Sequence, residues 1–250
     1  ENSSVKLTSN IDHTKDNNPN NDVGLNNLNG IIVAKTSANI SAYGINNEAG
    51  TLTAETVYIN SQQHALNNTD GHIESNVLIE SPSPVLIVNS GLLTNTRGVI
   101  TSTSGITINT HEKELINTES GDTKGIIAQG DVALTTGEFN NIQGYVGSAS
   151  ALTLISGKLD NKKGTIMAQG TSAVTAKGLD NRLGGQLLSG NNAIWDFANH
   201  TINNQSGILS SQADLRLQAG ILNNTQTSNN NEGINDQNLH LTITGSLDNS

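Results

Sequence analysis

The sequence predicts an all-β chain folded as a right-handed parallel β-helix, a solenoid of rungs about 20 residues long. Three observations carry this. A three-residue word returns down the chain at that interval, a glycine follows it at a fixed distance, and the residues beyond the glycine alternate between apolar and polar. Such a unit is too short to bury its own apolar face, so it must stack on its copies.

The word is an aliphatic residue or Phe, then usually Asn or Asp, then Asn. It places Asn27, Asn47, Asn68, Asn95, Asn117, Asn141, Asn161, Asn181, Asn204, Asn224 and Asn249 at spacings of 20, 21, 27, 22, 24, 20, 20, 23, 20 and 25. The base period is therefore 20, with insertions. Gly30, Gly50, Gly71, Gly98, Gly144, Gly164, Gly184 and Gly207 each stand three residues after the Asn. Alternation follows, as in Ile166 and Ala168, then Val174 and Ala176, which is the period of strands. Each unit is thus expected to be a turn, a short strand, a break and a second short strand. Ten rungs at about 4.8 Å would make a rod of roughly 48 Å. Leucine-rich repeats share the period but need L-x-x-L-x-L and a helical segment. Propeller blades need four strands in about 40 residues.

Taken in order, residues 1–24 are expected to form a partial rung around Val5-Lys6-Leu7 and a polar loop over 8–24, with the regular repeats running from 25 to 250. Insertions are expected near 76–93, around Pro82 and Pro84, near 109–124, which pushes the glycine to Gly125, and near 225–238. Solenoids admit such insertions at corners, where specificity is free to vary. The Asn of each unit is expected to satisfy backbone groups at a bend and to bond to its equivalents above and below, making a structural ladder. The glycine is expected to supply a positive-φ corner where a β carbon would clash. The competing expectation is a solvent-facing row of amides that binds glycan.

Only 34% of the 250 residues are hydrophobic and 2% aromatic, a palette of Leu, Ile, Val, Ala, Thr, Ser, Gly and Asn that suits short strands and tight turns. The net charge of −10, with no basic run beyond Lys162-Lys163, argues against nucleic acid and against an anionic membrane surface. The longest apolar fragments resemble Val85 to Val88, far below the roughly 20 residues of a membrane span. The absence of cysteine excludes disulfides, thiolate nucleophiles and Cys-ligated zinc. The chain opens at Glu1 without an initiator Met or a leader, so an excised or processed piece is expected.

Catalytic chemistry has one candidate. Asp160 and Asp180 fall at equivalent places on adjacent rungs, about 5 Å apart, with Lys162, Lys163 and Arg182 nearby, the ingredients of a polysaccharide-degrading site. The alternative, a charged corner, is preferred, because Asp replaces Asn there in the repeat. Of the six histidines only His64 and His72 are placed to meet across one turn, and no third metal ligand accompanies them. No calcium-binding nonapeptide, nucleotide-binding or hydrolase motif occurs, and no cofactor is expected. Trp195 and Phe197 lie in "AIWDFANH", either as an exposed sugar-stacking pair or, as preferred, filling a wide rung of the core.

The units "LDNKKGTIMAQG", "LDNRLGGQLLSG", "INNQSGILSSQA" and "FNNIQGYVGSAS" resemble the haemagglutinin repeats of filamentous haemagglutinin-like exoproteins. That family includes adhesins and the stalks of contact-dependent growth-inhibition toxins. The resemblance implies a non-enzymatic, secreted filament at a Gram-negative cell surface, exported by an outer-membrane two-partner transporter and facing a host or target-cell receptor or glycan. Asn18-Pro19-Asn20 looks like that family's secretion motif but is read as part of a surface loop. The alternatives are a glycan-binding adhesive domain and a β-helical polysaccharide-degrading enzyme.

Overall fold

The computed structural model describes residues 4–8, 23–77, 84–121, 123–227 and 232–250. Every described element is a strand, and every strand pairing is parallel. Parallel strands need a crossover of a dozen or more residues. Here the rest of each coil supplies it, so three sheets run along the rod with each strand paired to the strand three elements on.

Sheet I collects the strands that begin the word, such as Leu159–Asp160 and Leu179–Asp180. Sheet II collects those after the glycine, such as Thr165–Ala168 and Gln186–Ser189. Sheet III collects the third strand of each coil, such as Ser172–Ala176 and Ala193–Asp196. Coils are numbered here from their sheet I strand, coil 1 at Leu25, coil 2 at Ile45, and so on to coil 10 at Leu222, with Leu247 opening another turn. Sheet III also takes in Ser4–Thr8, which pairs in register with Ser37–Ser41.

The two strands expected per unit become three. The aliphatic residue and its neighbour, expected as part of the turn, themselves pair between coils, as Leu159 with Leu179 and Asp160 with Asp180. Two residues are too few to show a period in sequence, so this sheet becomes visible only once coils stack.

The register puts like on like. In sheet II, Ile73, Ile100, Ile126, Val146, Ile166, Leu187 and Leu209 succeed one another coil by coil, all buried. Sheet I adds Leu66, Leu93, Leu115, Phe139, Leu159, Leu179, Ile202 and Leu222, and sheet III its own alternate positions. Each such aliphatic side chain stabilises the rod by roughly 1.5–3 kcal/mol of burial. At the end of sheet II, where the chain passes on to sheet III, a buried column of small residues stacks coil by coil: Ala54, Ser75, Ser102, Ala128, Ser148, Ala168, Ser189 and Ser211. Their hydroxyls are used locally, Ser75 Oγ donating to Ser102 Oγ at 2.7 Å and Ser148 Oγ to the carbonyl of Ala151 at 2.9 Å.

Trp195 and Phe197 are both 0% exposed. Trp195 sits between Val174 and Leu217 in sheet III and donates from Nε1 to Ser172 Oγ at 2.9 Å. Ser172 and Ala193, both small, leave it room. The outward member of the stretch is Ile194, 58% exposed, so the rings belong to the core and form no platform.

Candidate functional site

The word that recurs in sequence becomes a continuous ladder. The Nδ2 of Asn27 donates to Oδ1 of Asn47 at 2.7 Å, Asn47 to Asn68, Asn68 to Asn95, Asn95 to Asn117 and Asn117 to Asn141, all within 2.7–2.8 Å. Asn141 to Asn161, Asn161 to Asn181, Asn181 to Asn204 and Asn204 to Asn224 continue within the same limits, and Asn224 reaches Asn249 at 2.6 Å. Every amide points the same way. The second Nδ2 proton goes to a backbone carbonyl, as from Asn161 to Gln186 at 2.9 Å and from Asn181 to Gly185 at 2.9 Å. From Asn47 to Asn204 the column is sealed from water, so these amides do not form the solvent-facing row that a glycan would need. Buried amides in this number are tolerable only when each is bonded.

At seven of the eleven words the residue before the Asn finishes the corner from outside. Asn26, Asn46, Asn67, Asn140, Asp160, Asp180 and Asp248 each accept, at Oδ1, the backbone N–H two residues on. This is the Asx-turn bond, and it explains why Asp and Asn interchange at that place in the word.

The glycines work differently from the sequence expectation. The left-handed residue of the turn is the one before the glycine: Asn29, Ala49, Asp70, Arg97, Gln143, Lys163 and Ser206, with φ between 49° and 56°. The glycine is required by space instead. A Cβ on Gly50, Gly71, Gly98, Gly144, Gly164 or Gly207 would lie under 3.0 Å from the backbone carbonyl oxygen of the previous coil's Asn, and one on Gly30 would strike the Asn27 side chain. Gly184 departs from this group. Its φ is +82° and nothing lies within 4 Å of its missing Cβ, while Gly185 packs against the Asn161 carbonyl and the Asn181 amide. The turn of coil 8 holds one extra residue, and counting three from Asn181 therefore selects the wrong glycine.

Asp160 and Asp180 do meet, as a neutralised corner. Lys162 Nζ bonds Asp160 Oδ2 and reaches Asp180 Oδ2 at 3.4 Å, while Arg182 grips Asp180 from Nε and Nη2, both at 2.8 Å. Burial pushes the Asp180 carboxyl up, but the Arg182 hydrogen bonds, with the charges of Lys162 and Arg182, outweigh it and hold the group below its ordinary value. A glycosidase acid needs the opposite, a carboxyl raised enough to carry a proton. Lys163, at the left-handed position, pairs with neither carboxylate.

The histidines separate. His64 packs on Tyr43, ring centroids 3.5 Å apart, and His72 Nε2 pairs with Glu74 at 3.1 Å. Among the described residues no three His, Asp or Glu side chains gather to hold a metal. The left-handed corner positions carry an external charge ladder instead. Arg97 bonds Asp70 at 2.8 and 2.9 Å and Glu119 at 2.9 Å, one coil to either side, which holds the Asp70 carboxyl low.

Two insertions open at the corner between sheets I and II, after Asn117 and after Asn224, and one between sheets II and III, after Val77. Thr118 to Gly121 and Thr123 to Lys124 belong to the first. The central parts of the other two, including Pro82, lie outside the described residues, as do Asn18-Pro19-Asn20 and most of the loop at 8–24.

Three parallel sheets, a core of stacked aliphatic columns and an internal amide ladder define a parallel β-solenoid of about ten coils. A family model for the haemagglutinin repeat matches residues 7–97, 86–126, 116–195 and 184–250, overlapping segments that cover nearly the whole sequence. The chain belongs to the haemagglutinin repeat family. No curated protein and no solved structure matches it.

Proposed function

We propose that this chain is a rod-forming segment of a secreted exoprotein displayed on a Gram-negative cell surface, working as a rigid stalk in adhesion or in contact-dependent growth inhibition. The observation that supports it best is the uninterrupted amide ladder through coils of unequal length. A device repeated without variation keeps a shape. It does not select a ligand. Family membership favours the same role, since haemagglutinin repeats build adhesin-type filaments, and export through a two-partner transporter goes with it. The lack of cysteine suits export as an extended chain, because nothing can cross-link before folding.

Coil exchange tests the stalk. Replacing residues 25–250 in the parent protein by as many unrelated solenoid coils should leave adhesion or target killing unchanged. Loss of either, with surface display intact, would assign recognition to this segment and overturn the spacer role.

A further inference from the structure

We propose that the chain pairs side by side and antiparallel with a second copy of itself, along the corner where sheet III passes into sheet I. This goes beyond the stalk role and rests on two patterns along one corner.

The first pattern is charge. At the residues leading into sheet I, coil 5 carries Glu112, Lys113 and Glu114, coil 6 carries Glu138, coil 7 carries Lys158 and coil 8 carries Lys177. The register makes these neighbours: Leu115 N–H bonds the Glu138 carbonyl, Phe139 N–H the Lys158 carbonyl, and Lys177 N–H the Gly157 carbonyl. Net charge along the corner therefore runs minus, minus, plus, plus in successive coils. None of Glu114, Glu138, Lys158 and Lys177 takes part in an ion pair among the described residues. A two-fold axis perpendicular to the rod, between coils 6 and 7, sets Glu138 against Lys158 and Glu114 against Lys177, twice each. A parallel pair in register would set like charge on like.

The second pattern is shape. The connectors into sheet I are long at coil 3 (61–65), coil 5 (110–114) and coil 9 (197–200), and short at coil 4 (90–92), coil 8 (177–178) and coil 10 (residue 220). The same axis exchanges coil 3 with 10, 5 with 8 and 4 with 9. Every long corner then faces a short one, and the exposed Leu92 and Ile221 beside two of the short corners face the long corners at 197–200 and 61–65. The matched ridge covers seven steps, about 34 Å. A contact this narrow belongs to the small, weak class of interfaces, below about 1,200 Å². Two rods standing on facing surfaces would meet in this antiparallel sense.

Sedimentation of the whole chain should show a dimer at about 0.01 M salt that dissociates at about 1 M. Lys158→Glu with Lys177→Glu should weaken dimerisation at least roughly tenfold, and so should Glu114→Lys with Glu138→Lys. An equimolar mixture of the two variants should form a heterodimer. The chain with all four changes, which restores the net charge of −10, should pair like the original. Lys35→Glu with Arg216→Glu, equal in net charge to the first variant but remote from the corner, should still pair. Carbodiimide treatment of mixed isotope-labelled and unlabelled chains should join Glu138 of one copy to Lys158 of the other. Dimerisation indifferent to Lys158→Glu with Lys177→Glu, a mixture that stays monomeric, or a chain monomeric at low salt would each overturn the proposal. Unchanged circular dichroism excludes misfolding as the cause.

Discussion

Coils 6 and 7, which repeat at 20 residues, and coil 5, which carries an insertion, solve one problem in two ways. In coil 7 the turn from Asn161 to Gly164 closes with Gly164 N–H bonded to the Asn161 carbonyl at 3.0 Å, Lys163 taking the left-handed position. In coil 5 the chain leaves after Asn117, passes through Glu119 and Gly121 at positive φ, and returns at Gly125, whose φ is +106°. Ser120 Oγ is buried there with no hydrogen-bond partner among the described residues. Yet the amide bonds into and out of Asn117 are both 2.8 Å, against 2.7 and 2.8 Å on either side of Asn161. An insertion thus disturbs one turn and leaves the stacking alone, because strands and amides are fixed by the coils above and below.

Substitution can break this equivalence most severely at the glycines. Gly164→Ala places a Cβ against the Asn141 carbonyl and should cost more than about 3 kcal/mol in a urea melt. Gly184→Ala, one residue from a glycine of the same kind as Gly164, should cost only about 1 kcal/mol, the penalty of a left-handed non-glycine. Equal losses would refute the assignment of Gly185 as the packed member.

Next come the amides. Asn161→Ala opens the ladder at two bonds and should lose about 1–3 kcal/mol, and Asn117→Ala should lose as much despite the insertion beside it. A loss of only a few tenths of a kcal/mol at either would show that the ladder is not a stabilising element there.

Cutting residues 118–124 to a two-residue turn should change stability by less than about 1 kcal/mol, since loop closure varies slowly with length. A larger fall would mean that the insertion holds the coil together.

The smallest effect is electrostatic and depends on pH. Asp180 titrates lower folded than unfolded, so its contribution is complete above the ordinary carboxylate range and is lost as pH falls through the depressed folded value. Asp180→Asn, matching Asn203 and Asn223 of the following coils, should flatten the acid limb of the stability curve and leave neutral stability within about 1 kcal/mol. An unchanged acid limb would remove Asp180 from the account.

Much of this was legible beforehand. Period, asparagines and alternation are local regularities, and the core was the preferred place for the rings of Trp195 and Phe197. The third sheet was not legible, because two-residue strands have no period. Nor was the cause of the glycines: space at Gly164 depends on the Asn141 carbonyl, which belongs to another coil. Lys158 and Lys177 look isolated in sequence, and the one signal that would have joined them is the chain written out in rows of 20.

By itself, then, the sequence determined that units of about 20 residues would stack, and which residue of each would turn inward, since a short unit has no other means of burying its apolar side. Only the tertiary structure decided the single direction of the amide ladder, which glycine of a pair packs, and the charge pattern along one corner. Those depend on residues some 20 apart in the chain that stacking brings to about 4.8 Å, a proximity that the parallel pairing of successive coils sets.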